Sequence, residues 1–243
     1  MDRTVEICCG SYEDALNAFN GGAKRIELNS GLALGGLTPT VSTLQLIKKH
    51  TDLEVICMIR PRGAGFSYND LAFEQMMLEA ANLLANGADG LAFGFLDDDH
   101  TLSNDQIQEM VSLIHSYKKT AVFHRAFDMV DDPCGNMEKL IFMGVDRVLT
   151  SGMQATAIEG KKLLKKLQGL YGDQIEILAG SGIYEDNARA LMEETGVTQI
   201  HSSCKAWRKD PTTSSSHVSF SYHENEYDYV SLEKVKALLK AVR

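Results

Sequence analysis

Gly22-Ala-Lys-Arg-Ile26, Gly87-Ala-Asp-Gly-Leu91, Gly144-Val-Asp-Arg-Val148 and Gly196-Val-Thr-Gln-Ile200 repeat one short phrase four times along the chain. In each, a glycine ends a stretch with helical spacing and a short strand-like run follows. Glycine is the residue that best tolerates the left-handed backbone closing a helix, so each phrase predicts a helix running out into a strand. Working outward from these phrases, strands are expected at 4–9, 25–28, 54–59, 90–95, 120–124, 147–150, 175–179 and 199–201. Helices are expected at 12–19, 40–49, 70–86, 105–118, 137–143, 155–170, 185–194 and 232–242. The phrases enter the second, fourth, sixth and eighth strands, so the repeating unit is two strands and two helices. Strict alternation of strand and helix predicts a parallel sheet, and eight strands permit closure. An open doubly wound sheet explains the alternation but not the fourfold spacing. The expected fold is α/β, a single (β/α)8 TIM barrel.

Bulk properties agree with one domain over 1–243: the length suits one barrel, and 44% hydrophobic residues can fill its core. One segment breaks the rhythm. Residues 204–230 are rich in Ser and Thr, carry Pro211, and form a long loop before the last helix, either a cover for the mouth, a reach to a neighbouring subunit, or a solvated excursion. A formal charge of -9, from 33 acidic and 24 basic residues, gives a surface expected to repel nucleic acid and anionic lipid. Five cysteines form a sparse, odd set that suits reduced thiols. The opening Met-Asp-Arg-Thr-Val is charged and then strand-like rather than a leader, and no apolar run approaches a membrane span. The expected location is cytoplasmic.

In such a barrel, chemistry belongs to the carboxyl-terminal ends of the strands. Alternation puts Glu6 with Cys8, and Glu27 with Asn29, on common faces, so both acids are expected to point inward. Buried carboxylates need partners, and Arg60 and Arg125 are the cations considered for them; the group is either an ion-paired plug or a working site. If the protein is an enzyme, Glu6, Glu27 and His124 are its candidate catalytic groups, with His124 moving the proton. Arg60 and Arg62 flank a Gly63–Gly65 loop tipped by Phe66 and Tyr68, which reads as an anion-clamping lid. Arg125, Ser151, Gly180, Ser181, Gly182, Ser202 and Ser203 complete a rim of small and basic residues able to hold an oxyanion. For metals, Cys8-Cys9, Cys57-Met58 and His201-x-x-Cys204 supply soft donors without finger spacing, although buried cysteines also serve as small core residues.

Taken together, Val5-Glu-Ile-Cys8, Arg25-Ile-Glu-Leu28, Gly35-Gly-Leu-Thr-Pro39, Ile59-Arg-Pro-Arg-Gly63, Phe123-His-Arg-Ala-Phe-Asp-Met129, Arg147-Val-Leu-Thr-Ser-Gly152 and His201-Ser-Ser203 resemble the CutC family over nearly the whole chain. The resemblance implies a cytosolic barrel of the copper homeostasis type, a homo-oligomer, with Cu(I) as its ligand and Cys8 as the metal donor, helped by Cys9 or another nearby sulfur. The chain departs from the family pattern at Asn29, where many members carry a second cysteine, and an amide is a poor ligand for a soft monovalent ion. Beside the copper reading stands a second one from the residues themselves: a barrel enzyme acting on a small anionic or phosphorylated metabolite.

Overall fold

The computed structural model describes residues 3–243. Eight parallel strands, β1 (Thr4–Cys9), β2 (Arg25–Leu28), β3 (Glu54–Met58), β4 (Gly90–Phe93), β5 (Thr120–Phe123), β6 (Arg147–Thr150), β7 (Glu176–Gly180) and β8 (Gln199–Ser202), close a barrel in chain order. β8 pairs with β1 to complete the ring. The helices are α1 (Tyr12–Gly21), α2 (Val41–His50), α3 (Asp70–Ala85), α4 (Asn104–Ser116), α5 (Pro133–Phe142), α6 (Lys161–Tyr171), α7 (Ala188–Thr195) and α8 (Leu232–Val242). Their apolar sides and the outward sides of the strands form the main core. The repeated glycines do what the phrases require: Gly22, Gly87, Gly144 and Gly196 have φ of 99°, 101°, 82° and 80°, a region in which a side chain is strained.

Several boundaries differ from expectation for identifiable reasons. α5 starts at Pro133 because Asp132 caps it, accepting from the Gly135 N–H, and a proline in the first turn loses no bond. α6 starts only at Lys161, since the main chain before it bonds elsewhere: the Ala157 N–H donates to the Ser181 carbonyl at 3.0 Å, and the Ala155 carbonyl accepts from the Ser181 hydroxyl at 2.8 Å. The 204–230 segment is not an open loop throughout: β9 (Lys205–Lys209) and β10 (Glu226–Val230) pair antiparallel. β10 is moored to α1, where Asp14 accepts from the Val230 N–H at 2.7 Å and Asn17 donates to its carbonyl at 3.0 Å.

Alternation sends one face of each strand into the barrel. From the amino-terminal end upward, the inward layers are Arg25, Gly90, Arg147 and Gln199, then Glu6, Ile56, Val122 and Leu178, then Glu27, Ala92, Leu149 and His201, and at the mouth Cys8, Met58, His124 and Gly180. Each layer draws from alternate strands, as barrel closure dictates. The β3–β5 side is an apolar cluster of Ile56, Met58, Ala92 and Val122. The side made by β1, β2, β6 and β8 is polar, and the candidate site is built there.

Candidate functional site

Glu6 is the base of the site. Its Oε2 lies 2.8 Å from Arg25 Nε and 3.9 Å from Arg147 Nη1, and its Oε1 meets His201 Nδ1 at 2.9 Å. The pairing expected with Arg60 and Arg125 is therefore corrected: the cations are Arg25 and Arg147, which the repeated phrases place at the start of β2 and β6. Arg147 also holds Glu176 at 2.6 Å, and Arg25 donates to Gln199 at 2.6 Å. Burial opposes the Glu6 charge, but the His201 hydrogen bond and the two guanidinium groups overcome it and hold the carboxyl at about 2. Burial likewise opposes charge on His201, yet the carboxylates of Glu27 and Glu6 and the Cys8 side chain raise its pKa well above the usual value. His201 is thus an imidazolium that donates from Nδ1 to Glu6.

Above this pair the cavity floor carries three potential ligands. One ligand atom each from Cys8, Glu27 and His201 lies within 4.8 Å of the others. Glu27 Oε2 sits 3.9 Å from His201 Nε2, 3.8 Å from the Cys8 sulfur, and accepts from Asn29 Nδ2 at 2.9 Å. The same Asn29 amide is 3.6 Å from the Cys8 sulfur. Burial pushes the Cys8 thiol up and raises the Glu27 carboxyl. Alternation puts Cys9 on the opposite face, fully buried in the core between barrel and helices, so it cannot join Cys8 as a ligand.

The mouth opens over this floor as a cavity of about 310 Å³. Of the residues singled out from sequence, Cys8, Glu27, Arg60, His124, Arg125, Ser181, Gly182, Ser202 and Ser203 line it; Glu6, Cys9, Arg62, Ser151 and Gly180 do not. Arg62 lies outside, spending its donors on the carbonyls of Gly63, Gly65 and Ser67 and stacking on Tyr68. Ser151 is buried against Asp128, to which Arg125 is also paired at 2.8 Å. The Ser181 and Ser202 hydroxyls donate to the Ala155 and Ile183 carbonyls. Residues 204–230 do not line the cavity; Tyr222 and Tyr227–Tyr229 instead flank a separate cleft against Asp14 and Leu32.

Arg60 and His124 form a different wall. Arg60 donates from Nη1 to the Leu34 and Gly36 carbonyls, both at 3.1 Å, and from Nη2 to Ala64 at 2.6 Å. His124 follows β5, and its Nδ1 accepts from the Ala126 N–H at 3.1 Å. Burial and the neighbouring Arg60 charge depress its pKa to about 3, so the ring is neutral at pH 7. Phe66 covers both, 4.9 Å from the imidazole and 5.2 Å from the guanidinium carbon. His201, named from sequence only as a soft donor in His201-x-x-Cys204, is brought instead to Cys8 and Glu27. Its signal was its place at a strand end, but the partner that fixes it, Glu6, is 195 positions away.

Comparison with known proteins comes to the same barrel. The sequence profile of the CutC family matches residues 3–206. A CutC family protein of Treponema denticola is 48% identical over 209 residues, covering 86% of this chain and 84% of the relative. The human copper homeostasis protein cutC homolog is 40% identical over 204 residues, covering 84% and 74%. Among solved structures, the CutC copper homeostasis protein from Streptococcus agalactiae superposes with a TM-score of 0.78 at 28% identity, over 83% of this chain and 98% of that one.

Proposed function

This chain belongs to the CutC family, and on that footing we propose that it carries Cu(I) as cargo at the floor of the barrel mouth, held by the Cys8 thiolate and His201 Nε2. The observation that carries the reading is the convergence of Cys8, Glu27 and His201 within 4.8 Å. Thiolate and imidazole are donors that suit copper, whereas a carboxylate suits harder ions. Glu27 therefore serves better as the base that takes the Cys8 proton, to which that thiol already points at 3.8 Å, than as a copper ligand, and the Nε2 proton of the His201 imidazolium leaves to bulk water as copper binds, so loading releases protons. His201 has the build of a metal ligand: one ring nitrogen is anchored to a carboxylate, Glu6, and the other faces the remaining donors. With Asn29 where many family members have cysteine, one sulfur and one nitrogen make the site.

Further features support the setting that the family resemblance implies. Five free thiols suit a reducing, cytoplasmic compartment. Among the described residues no helix is long and apolar enough to cross a membrane.

The test is a Cu(I) competition titration under anaerobic conditions with a chromophoric chelator. Loss of an outer-shell partner alone costs about 10- to 100-fold in metal affinity, so Cys8→Ala and His201→Phe should each weaken binding by at least roughly 100-fold, and Glu6→Gln by roughly 10- to 100-fold. A Cys8→Ala chain that binds Cu(I) as tightly as the parent would remove the assignment.

A further inference from the structure

The copper donors leave Glu27 beside the metal without a place in its shell. Its side chain is only 5% exposed, and among the described residues its one ion-pair partner is His201, 3.9 Å away at Nε2. Glu27 Oε2, the oxygen facing that nitrogen, is also the one 3.8 Å from the Cys8 sulfur. A sulfur, a carboxylate oxygen and an imidazole nitrogen thus converge within 4.8 Å, from a buried glutamate and two half-buried residues, and all three residues line the cavity. In a tetrahedral zinc shell, with bonds of about 2.3 Å to sulfur and about 2.1 Å to oxygen and nitrogen, sulfur and oxygen stand about 3.6 Å apart and oxygen and nitrogen about 3.3 Å. The observed 3.8 and 3.9 Å are wider by a few tenths of an ångström, within reach of small side-chain rotations. The outer partners are already in place: Glu6 holds His201 Nδ1, and the Asn29 amide donates to Glu27 Oε2 at 2.9 Å, leaving that oxygen a second lone pair. Charge points the same way. A Cys8 thiolate and a Glu27 carboxylate carry two negative charges, which a dication cancels, whereas Cu(I) leaves one of them buried and unmatched. Glu6 does not enter this sum, being matched by Arg25 and Arg147.

We infer that Cys8 Sγ, Glu27 Oε2 and His201 Nε2 form a three-ligand site for Zn(II), with a fourth position open to the barrel mouth. On loading, the Cys8 proton and the His201 Nε2 proton leave to solvent, and no electron is transferred. The site shares two donors with the copper reading but does not rest on it: there Glu27 is a base, here it is a ligand, a role that carboxylates take at zinc and not at Cu(I). The two ions exclude each other. Four protein ligands close a structural zinc shell, whereas three with one position left open are the mark of a working one. Here the open position faces the 310 Å³ cavity, since Cys9, the nearest further thiol in sequence, is buried on the opposite face of β1. Zinc so held polarises a water molecule, or an oxygen of a small ligand that enters the mouth.

The experiment uses the full-length, reduced, metal-free chain. Zn(II) and, in a separate arm, Cu(I) are titrated anaerobically against chromophoric chelators for the parent and for Glu27→Gln, which keeps the shape of the side chain but not its charge. The expected result is one Zn(II) per parent chain, with affinity for zinc at least roughly 100-fold weaker in Glu27→Gln, more than an outer-shell partner costs, and affinity for Cu(I) changed by less than about tenfold. Co(II) serves as the spectroscopic stand-in for zinc. The parent should show intense tetrahedral d–d bands and a thiolate-to-cobalt charge-transfer band that Cys8→Ala abolishes, and azide should shift the d–d bands by entering the open position. Should Glu27→Gln fail to fold, the cobalt spectra of the parent decide. A parent that takes up no zinc, a folded Glu27→Gln chain that binds zinc like the parent or loses both ions equally, or weak octahedral cobalt bands that azide leaves unmoved would each overturn the site. Zinc bound through Glu27 without Cu(I) binding would sink the copper reading alone; Cu(I) binding without zinc would sink this one alone.

Discussion

His124 and His201 are two imidazoles in one barrel mouth held in opposite states. Burial acts on both against the charged form, but His124 faces the Arg60 cation whereas His201 faces two carboxylates. The consequence for stability has opposite signs. His124 falls from 6.5 in the unfolded chain to about 3 in the folded one. As pH drops below 6.5 the unfolded chain takes up its proton first, and stability is lost from there down to about 3. His201, with its raised folded pKa, contributes stability that is complete below the unfolded value and fades as pH rises through the folded one. Urea unfolding at pH 7 and pH 5 separates them: the parent should lose about 2 kcal/mol more than His124→Asn between those two conditions, from 1.5 pH units at ~1.4 kcal/mol each. Equal losses would show that His124 is not held neutral. Asn29 is the residue-scale test of the copper donors. Its amide lies 3.6 Å from the Cys8 sulfur, so Asn29→Cys should place a second thiol beside the first and raise Cu(I) affinity by at least about tenfold in the same competition titration; an unchanged affinity would mean that Cys8 does not hold the metal. Cys8, Glu27 and Arg60 were legible in the sequence because strand parity and position at a strand end are local properties. The place of His201 was not, because its state depends on Glu6 across the β1–β8 seam, and neither were Arg25 and Arg147, whose pairing with Glu6 requires the barrel to close.

At the scale of elements, eight strands and the glycine-closed helices could be read from the phrase repeated at Gly22, Gly87, Gly144 and Gly196, because each carries its own backbone requirement. The β9–β10 hairpin could not. Its strands, Lys-Ala-Trp-Arg-Lys and Glu-Tyr-Asp-Tyr-Val, are half-exposed and joined by the long Asp210–Asn225 connection, whereas sequence signals a hairpin strongly only when the turn is short. A buried side chain on α1 takes part in docking the hairpin: Asp14 accepts from Gly10 and from Val230, beside the Asn17 bond to the Val230 carbonyl. Asp14→Ala leaves both N–H groups unpaired and should cost about 2 kcal/mol, with hydrogen exchange in Glu226–Val230 speeding up ahead of exchange in β1. Unaltered protection of β10 would show that the hairpin is held elsewhere. Gly94, between β4 and the mouth, has a companion role. A Cβ there would overlap the His124 ring, so Gly94→Ala should displace His124 while leaving Cu(I) affinity unchanged.

For the molecule as a whole, the barrel interior is divided between an apolar side that packs and a polar side that does not maximise stability. Ile56, Met58, Ala92 and Val122 fill the first, while Glu6, Arg25, Arg147 and His201 fill the second at the cost of desolvating four ionised groups. Removing one member exposes that cost: Glu6→Gln leaves Arg25 and Arg147 facing each other without their shared anion and should destabilise the fold by about 3–5 kcal/mol. The polar side leads upward to the Cys8–Glu27–His201 floor, and there the copper reading is most directly testable. X-ray absorption at the copper edge of the Cu(I)-loaded full-length chain should show a mixed shell of one sulfur and one imidazole nitrogen, with the imidazole scattering abolished in His201→Phe. A shell of sulfur alone, or one without sulfur, would contradict it.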